Sequence, residues 1–281
     1  MAETVVVVGF GSMGSALVTG CIRASVLTAR QITVIDPDAT ARERAEQIGC
    51  AATADLARAA HADILVIAVK PQNFSEVASG IGLVRPGTLV LSVMAGVSIT
   101  RLTETFGAGI HAVRSMPNVA AQVGLAVTTY GIGSHCSDAN RSLALRLLGS
   151  IGSTVEISEH LFDAATATSG SGPAYLFLLA ESMIESAMRL GFDRPTADRL
   201  VRQSLLGAST MLARGDRNPS ELRGMVTSQG GTTSAALAVL EAHAFQAMMH
   251  NALRAARDRG RDLAAAAARQ SAPPPAVTGG T

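Results

Sequence analysis

From Thr4 to about residue 158, short apolar runs alternate with segments of helical spacing. Thr4–Val8 is a continuous, mostly β-branched run, the pattern of a strand buried on both faces. Ser12–Ala24 carries apolar residues at 13, 16, 17 and 21, which line one face of a helix. Ile32–Ile35 predicts a second strand, followed by a polar helix near Thr40–Ile48. Ile64–Val69, Thr88–Val93 and Ile110–Val113 predict three more. Leu125–Tyr130 and Thr154–Ile157 predict two further strands around a helix near Asp138–Leu148. Such alternation predicts a parallel sheet covered by helices on both faces.

Beyond residue 158 the strand signals stop. Asp163–Leu190 is a long segment of helical periodicity, interrupted by the glycines and proline of Ser169–Pro173 and ended by Gly191. Pro195–Ala213 predicts a second helix, with Pro195 in its first turn and Gly215 just past its end. Pro219–Met225 and Thr233–Leu240 are shorter helical pieces, and Ala244–Ala268 is a last long helix. The region offers few residues for a thick core of its own. Its Ala, Leu and Met predict close packing against another copy of the chain. The tail 270–281, ending P-P-P-A-V-T-G-G-T, is compositionally disordered.

Composition narrows the chemistry. The net charge is +1 and the basic residues form no stripe, which excludes a phosphate-driven nucleic-acid surface. No apolar run approaches the roughly 18 residues needed to span a bilayer. Because the first residues lead straight into a strand, no secretory signal is expected. Cys21, Cys50 and Cys136 are odd in number and scattered, which fits a reducing cytoplasm. The six histidines lack metal spacing, so no metal is expected, and Glu181 and Glu185 read as ordinary polar helix positions. Of the 23 basic residues 22 are arginine, so a lysine-dependent mechanism would have to use Lys70.

The first strand runs into V-G-F-G-S-M-G, placing Gly9, Gly11 and Gly14 in G-x-G-x-x-G spacing between a strand and a helix. Gly9 permits the tight turn, Gly11 lets a pyrophosphate approach the backbone, and Gly14 lets helix and strand pack closely. Phe10, Ser12 and Met13 share that rim, and the helix N-terminus favours anions. A glycine turn without a ligand is the bland alternative. Asp36 follows the second strand, where an acid can accept ribose hydroxyls and repel a 2′-phosphate. Arg42 and Arg44 lie near enough to offset it. The cofactor is therefore read as NADH or NADPH with a lean to NADH, while Asp36 or Asp38 could instead be a helix N-cap. Val69, Lys70 and Pro71 end the third strand and are candidates for the cofactor groove.

Three later motifs, R-S-M-P-N at 114–118, T-S-G-S-G-P-A-Y at 168–175 and S-Q-G-G-T-T at 228–233, complete a set. Together with V-G-F-G-S-M-G and A-V-K-P, and over about residues 4–266, the chain resembles pyrroline-5-carboxylate reductases. The resemblance implies an α/β fold: a Rossmann-type dinucleotide-binding domain (1–158), then an all-α substrate and dimerisation domain (159–269). It implies reduction of the cyclic imine 1-pyrroline-5-carboxylate to L-proline by NAD(P)H, the last step of proline biosynthesis. It places the substrate carboxylate at Ser228, Gly230, Gly231, Thr232 and Thr233, with the Thr233 hydroxyl near the imine nitrogen as the catalytic group. Ser171 and Gly172 are placed beside substrate, and Ala95 and Asn118 beside the nicotinamide. It also implies a homodimer through the helical domain, with each site built from both chains, and an assembly of such dimers, a decamer.

The residues suit that chemistry. A protonated imine is already electrophilic, so a site that binds a carboxylate, orients the ring and excludes water can suffice. A hydroxyl-rich, helix-initiating loop presents N–H groups to an anion, although simple capping would need only part of it. Gly and Pro within Ser169–Pro173 cost roughly 1 and 3 kcal/mol in a helix, which suggests close approach of a ring or of another helix. Two positions depart from the family pattern: Gln229 stands where Pro is usual, and Asp55 where Asn is common. They keep open a nucleotide-binding protein without catalysis. A β-hydroxyacid dehydrogenase would need a lysine on the long helix, and Asp163–Leu190 has none.

Overall fold

Val5–Val8, four valines with no exposed side chain, form β1 near the middle of an eight-stranded sheet. The computed structural model describes residues 4–270. The other strands are β2 (Ile32–Ile35), β3 (Ala51–Thr53), β4 (Ile64–Ile67), β5 (Leu89–Ser92), β6 (His111–Met116), β7 (Ala126–Ile132) and β8 (Gly152–Glu156). Their order is β3-β2-β1-β4-β5-β6-β7-β8. β1 pairs in parallel with β2 and β4, with Val5 opposite Ile32 on one side and Ile64 on the other. The order reverses between β1 and β4, the switch point at which open α/β sheets bind ligands.

Five helices cover the sheet: α1 (Ser12–Arg23), α2 (Ala39–Gln47), α3 (Phe74–Ile81), α4 (Ile99–Phe106) and α5 (Asp138–Gly149). The period of two along β1 divides its valines between two cores. Val5 and Val7 pack with Leu17, Val18 and Leu147 from α1 and α5, and Val6 and Val8 with residues of α3 and α4. The second core is tied by Phe74 and Phe106, whose rings meet edge to face at 6.0 Å. Each fully buried aliphatic side chain contributes about 1.5–3 kcal/mol, so this double burial accounts for much of the sheet's stability.

The sheet is not wholly parallel. β7 runs antiparallel to β6, and β8 runs parallel to β7. The connection 117–125 is shorter than the dozen or so residues a parallel crossover requires, so the chain returns beside β6 in the opposite sense. Strand β3 and helices α3 and α4 have no counterpart in the hydrophobic pattern as read above. β3 is only three residues of small side chains, and α3 and α4 span two turns each.

By contact density the chain separates into two units, one running to Ser171 and resuming at Ala256, the other Gly172–Ala255. The region from Phe162 is not one uninterrupted helix. A short α6 (Phe162–Ala165) passes into a π-turn at Thr166–Gly170 before α7 begins at Gly172. The second unit comprises α7 (Gly172–Arg189), α8 (Arg194–Arg214), α9 (Pro219–Met225), α10 (Thr232–Ala242) and the first part of α11 (Phe245–Gln270). Asp193 caps α8 by accepting from the Thr196 N–H, and Gly215 closes it in the left-handed conformation. Within this unit only Ile184, Ala197 and Val201 are buried hydrophobics, while Phe177, Leu178, Leu190, Leu206 and Val226 are more than half exposed. The residues expected to form a disordered tail lie, apart from Gln270 at the end of α11, outside the described residues.

Gly152, which opens β8, gives a stability test. Its φ is +148°, and a Cβ there would lie 2.0 Å from the Ala126 carbonyl oxygen. Gly152→Ala is expected to destabilise the protein by about 2 kcal/mol or more in urea denaturation. Gly149→Ala, at a helical site where the new methyl meets nothing within 4 Å, is expected to stabilise it by about 0.5–1 kcal/mol.

Candidate cofactor and substrate site

The carboxyl ends of β1, β2 and β4 form one crevice because backbone meets backbone there. The Gly9 N–H donates to the Ile35 carbonyl at 2.8 Å, and the Ala68 N–H donates to the Val8 carbonyl at 2.8 Å. Gly9 has φ +95°, and a Cβ on it would come within 2.6 Å of the Ala68 carbonyl oxygen. A Cβ on Gly14 would lie 2.0 Å from the Gly9 carbonyl oxygen. A Cβ on Gly11 would meet nothing within 4 Å. The two outer glycines therefore serve the fold, and the middle one leaves open space beside the first turn of α1. That space is the cradle a dinucleotide pyrophosphate requires. Ser12 is exposed at this end and Met13 is half-buried, whereas Phe10 is buried and packs in the core.

Asp36 is held at the mouth of the crevice. One carboxylate oxygen accepts from the Phe10 N–H at 2.7 Å and the other from the Asp38 N–H at 3.0 Å. The helix cap is Asp38, which accepts from the Thr40 N–H at 3.0 Å. Arg42 donates to the carbonyls of Asp36 and Pro37, at 2.9 and 2.8 Å. Arg44 donates to the Phe10 carbonyl at 3.2 Å. Both guanidinium groups thus serve to fix the strand end and the glycine loop. Asp55 caps the turn that follows β3, accepting from the Ala57 N–H at 3.1 Å.

Val69, Lys70 and Pro71 leave the end of β4, with Lys70 and Pro71 exposed. Ala95 is half-buried after β5, beside Gly96 at φ +75°. After β6 comes Asn118, whose amide is engaged twice. Its Oδ1 accepts from the Ala120 N–H at 3.2 Å, and its Nδ2 donates to the Ser169 carbonyl at 3.1 Å.

The residues that sequence reasoning passed over lie below that amide. Arg114 on β6 is buried, its guanidinium stacked 4.1 Å from the centre of the Phe162 ring and 3.3 Å from a Glu159 oxygen. That same oxygen accepts from the Ile99 N–H at 2.8 Å, tying the start of α4 to the start of the 159–170 segment. Burial pulls the Arg114 guanidinium below its usual pKa, and Glu159 and Asp163 oppose the shift. The period of two over 114, 116 and 118 was the available signal, obscured because the strand was expected to stop at Val113.

The loop 228–233 belongs to the helical unit. The Gly231 N–H donates to the Ser228 carbonyl at 3.1 Å, and Gly230 has φ +72°, so Ser228–Gly231 is a turn that needs glycine at its third position. No side chain caps α10, and its first backbone bond runs from the Ala235 N–H to the Gly231 carbonyl. The N–H groups of Thr232, Thr233 and Ser234 therefore point out of the helix end. Thr233 is half-buried at the second position of α10, while Ser228 and Thr232 are exposed. Ser171 and Gly172 are half-buried where the π-turn meets α7. Burial pushes the Cys21 thiol up to about 11, so it stays protonated in the core.

Residues 159–263 match the family model for pyrroline-5-carboxylate reductase dimerisation, and residues 4–96 match the one for NADP oxidoreductase, coenzyme F420-dependent. The chain is 35% identical over 259 residues to the pyrroline-5-carboxylate reductase of Methanosarcina acetivorans, covering 91% of this chain and 96% of that one. It belongs to the pyrroline-5-carboxylate reductase family. The enzyme of the same description from Corynebacterium melassecola is 37% identical, over 92% of this chain and 98% of the relative. The solved reductase of Coxiella burnetii superposes with a TM-score of 0.86 at 31% identity, over 94% of this chain and 99% of the other. The Plasmodium falciparum reductase with NADP bound gives 0.83 at 29% identity, over 93% and 98% of the two chains.

Within this reductase family fold Gly11 and Gly14 separate by experiment. Gly11→Ala is expected to keep the thermal midpoint within about 2 °C and weaken NAD(P)H binding at least about tenfold, roughly 1.4 kcal/mol, by fluorescence titration. Gly14→Ala is expected to lower the midpoint as well, because its methyl collides with the Gly9 carbonyl.

Proposed function

We propose that the protein reduces 1-pyrroline-5-carboxylate to L-proline, with NAD(P)H seated on the glycine loop and the substrate carboxylate on the 228–233 turn. The observation that carries the reading is the pairing of two anion seats of different shape in one chain: an open glycine cradle at α1 and an uncapped helix end at α10. NAD(P)H supplies the hydride when bound. The chain's own residues do the rest. N–H groups at the start of α10 hold the carboxylate and so fix the ring. The Thr233 hydroxyl oxygen accepts the N–H of the protonated imine and keeps that proton on nitrogen. With the ring so held, the imine carbon would be open to that hydride, and the proton kept on nitrogen would remain as the N–H of the secondary amine. No lysine is needed for this proton balance, and Lys70 remains at the cofactor rim.

The departures from the family pattern are compatible with turnover. Asp55 still caps its turn, and the 228–231 turn keeps the glycine its geometry needs. We place NADH ahead of NADPH because the Asp36 carboxylate is fixed at the crevice mouth and both nearby arginines are committed to carbonyls. The protein assembles as a homodimer through its helical half, which otherwise leaves its apolar side chains exposed, and such dimers associate further, as in a decamer. We place it in the cytoplasm; among the described residues no helix is long and apolar enough to cross a membrane.

The deciding assay follows NAD(P)H oxidation with pyrroline-5-carboxylate and with a panel of β-hydroxyacids. Turnover is expected with the imine alone, and its absence overturns the reading. Thr233→Ala is expected to lower kcat/KM for the imine about 10- to 100-fold, the loss of a charge-assisted hydrogen bond of about 1.5–3 kcal/mol. Cofactor affinity should stay within about twofold. Asp36→Ser should shift the ratio of kcat/KM values toward NADPH by about tenfold. Gln229→Pro, which pre-orders the turn by about 0.4–1 kcal/mol, should lower the imine KM about two- to fivefold at constant kcat.

A further inference from the structure

The 166–170 turn is wider than an α-helix, and its sequence explains why. Thr166, Thr168 and Ser169 each turn a hydroxyl back onto the carbonyl four residues earlier, at 2.8–2.9 Å, which loosens and bends helical backbone. The Ser171 N–H reaches past the α-helical acceptor to the Thr166 carbonyl, at 2.8 Å. In an unbroken helix the Ser169 carbonyl would accept from the N–H of residue 173, but residue 173 is proline and has none. The Asn118 amide donates to that carbonyl instead, at 3.1 Å. Two residues earlier on the same side, the Met116 methyl lies where a Cβ on Gly170 would come within 3.1 Å of it. Two residues earlier again, Arg114 stacks under Phe162.

We infer that Asn118 is a positioning residue: its side chain stands in for the missing Pro173 N–H and fixes the width of the π-turn, and hence the presentation of Ser169–Gly170–Ser171 to the ligands. This deepens the reductase reading and rests on it for the activity arm alone. It differs from a direct contact between Asn118 and the cofactor, because the role rests on the two bonds the amide makes within the fold, to the Ser169 carbonyl and from the Ala120 N–H.

The test uses Asn118→Asp and Asn118→Ser in the full chain. Both retain an oxygen to cap the Ala120 N–H; ionised Asp has no donor, and the Ser hydroxyl, one atom shorter than the Asn amide, stops short of the Ser169 carbonyl. Amide hydrogen exchange without cofactor or substrate is expected to speed up at least about tenfold at Ser171, while protection in β1 and β4 stays unchanged. With NAD(P)H and the imine, kcat is expected to fall at least about tenfold, with the cofactor Kd within about twofold. Unchanged exchange at Ser171 in both variants overturns the inference. So does faster exchange with an unaltered kcat, or a tenfold weaker cofactor Kd with unaltered exchange, which marks a direct ligand. Faster exchange in variants of a wild-type protein that does not reduce the imine upholds the clamp and refutes the reductase reading.

Discussion

The close contact between Gly14 and the Gly9 carbonyl decides where everything else in the nucleotide-binding unit can lie. It lets α1 start directly against the end of β1, so the N-terminus of that helix opens at the switch point rather than beyond it. The same compression brings Gly9 against Ala68, which fixes the end of β4 and with it the exit of Val69 and Lys70. Asp36 then closes the third side by accepting the Phe10 N–H. None of these contacts involves a large side chain. The contacts at Gly9 and Gly14 are backbone approaches that only glycine permits, which is why the crevice can be rigid and still have an open space at Gly11.

The second unit follows another logic. Two of its helices are well capped, α8 by Asp193 and Gly215 and α9 by Asn218, so the local sequence specifies those two sharply. Yet three buried hydrophobics are too few to hold α7 through α10 as a free-standing core. Local order without a core of its own is expected of helices whose apolar faces are completed by a second copy. The exposed Phe177, Leu178 and Leu206 are apolar surface of the kind a dimerisation domain covers.

Much of this was legible in the sequence because it depends on period and punctuation. The short, mostly β-branched runs of β1, β2 and β4, flanked by turn residues, read as buried strands, and Pro219–Met225 matches its helix residue for residue. What was not legible depends on partners distant in the chain. The reversal at β7 is set by the length of the 117–125 connection rather than by any residue in the strand. The Gly and Pro of Ser169–Pro173 mark an interruption of the helical stretch, but its form, a π-turn at Thr166–Gly170, depends on hydroxyls that compete for the backbone and carries no apolar signal. Asp36 and Asp38 looked interchangeable, and only the fold separates the cap from the carboxylate that holds the glycine loop. Among the residues expected to meet the substrate, the turn at Ser228–Gly231 could be read from its glycines. The half-burial of Thr233 could not.

The scarcity of lysine connects these observations to the chemistry. A reaction that polarises an alcohol or a carbonyl needs a group that donates and recovers a proton in a controlled place. A protonated imine carries its proton to the site and retains it in the product. The demand on the protein shifts from acidity to geometry: a fixed carboxylate seat, a hydroxyl at the nitrogen and a backbone that holds its shape. Geometry is what this chain spends its unusual residues on. Glycines set the crevice and the 228–231 turn, while hydroxyls and a proline shape the segment before α7. Arg114, a buried guanidinium beside that segment, is paired with Glu159 and covered by Phe162, which suits a support rather than a proton donor.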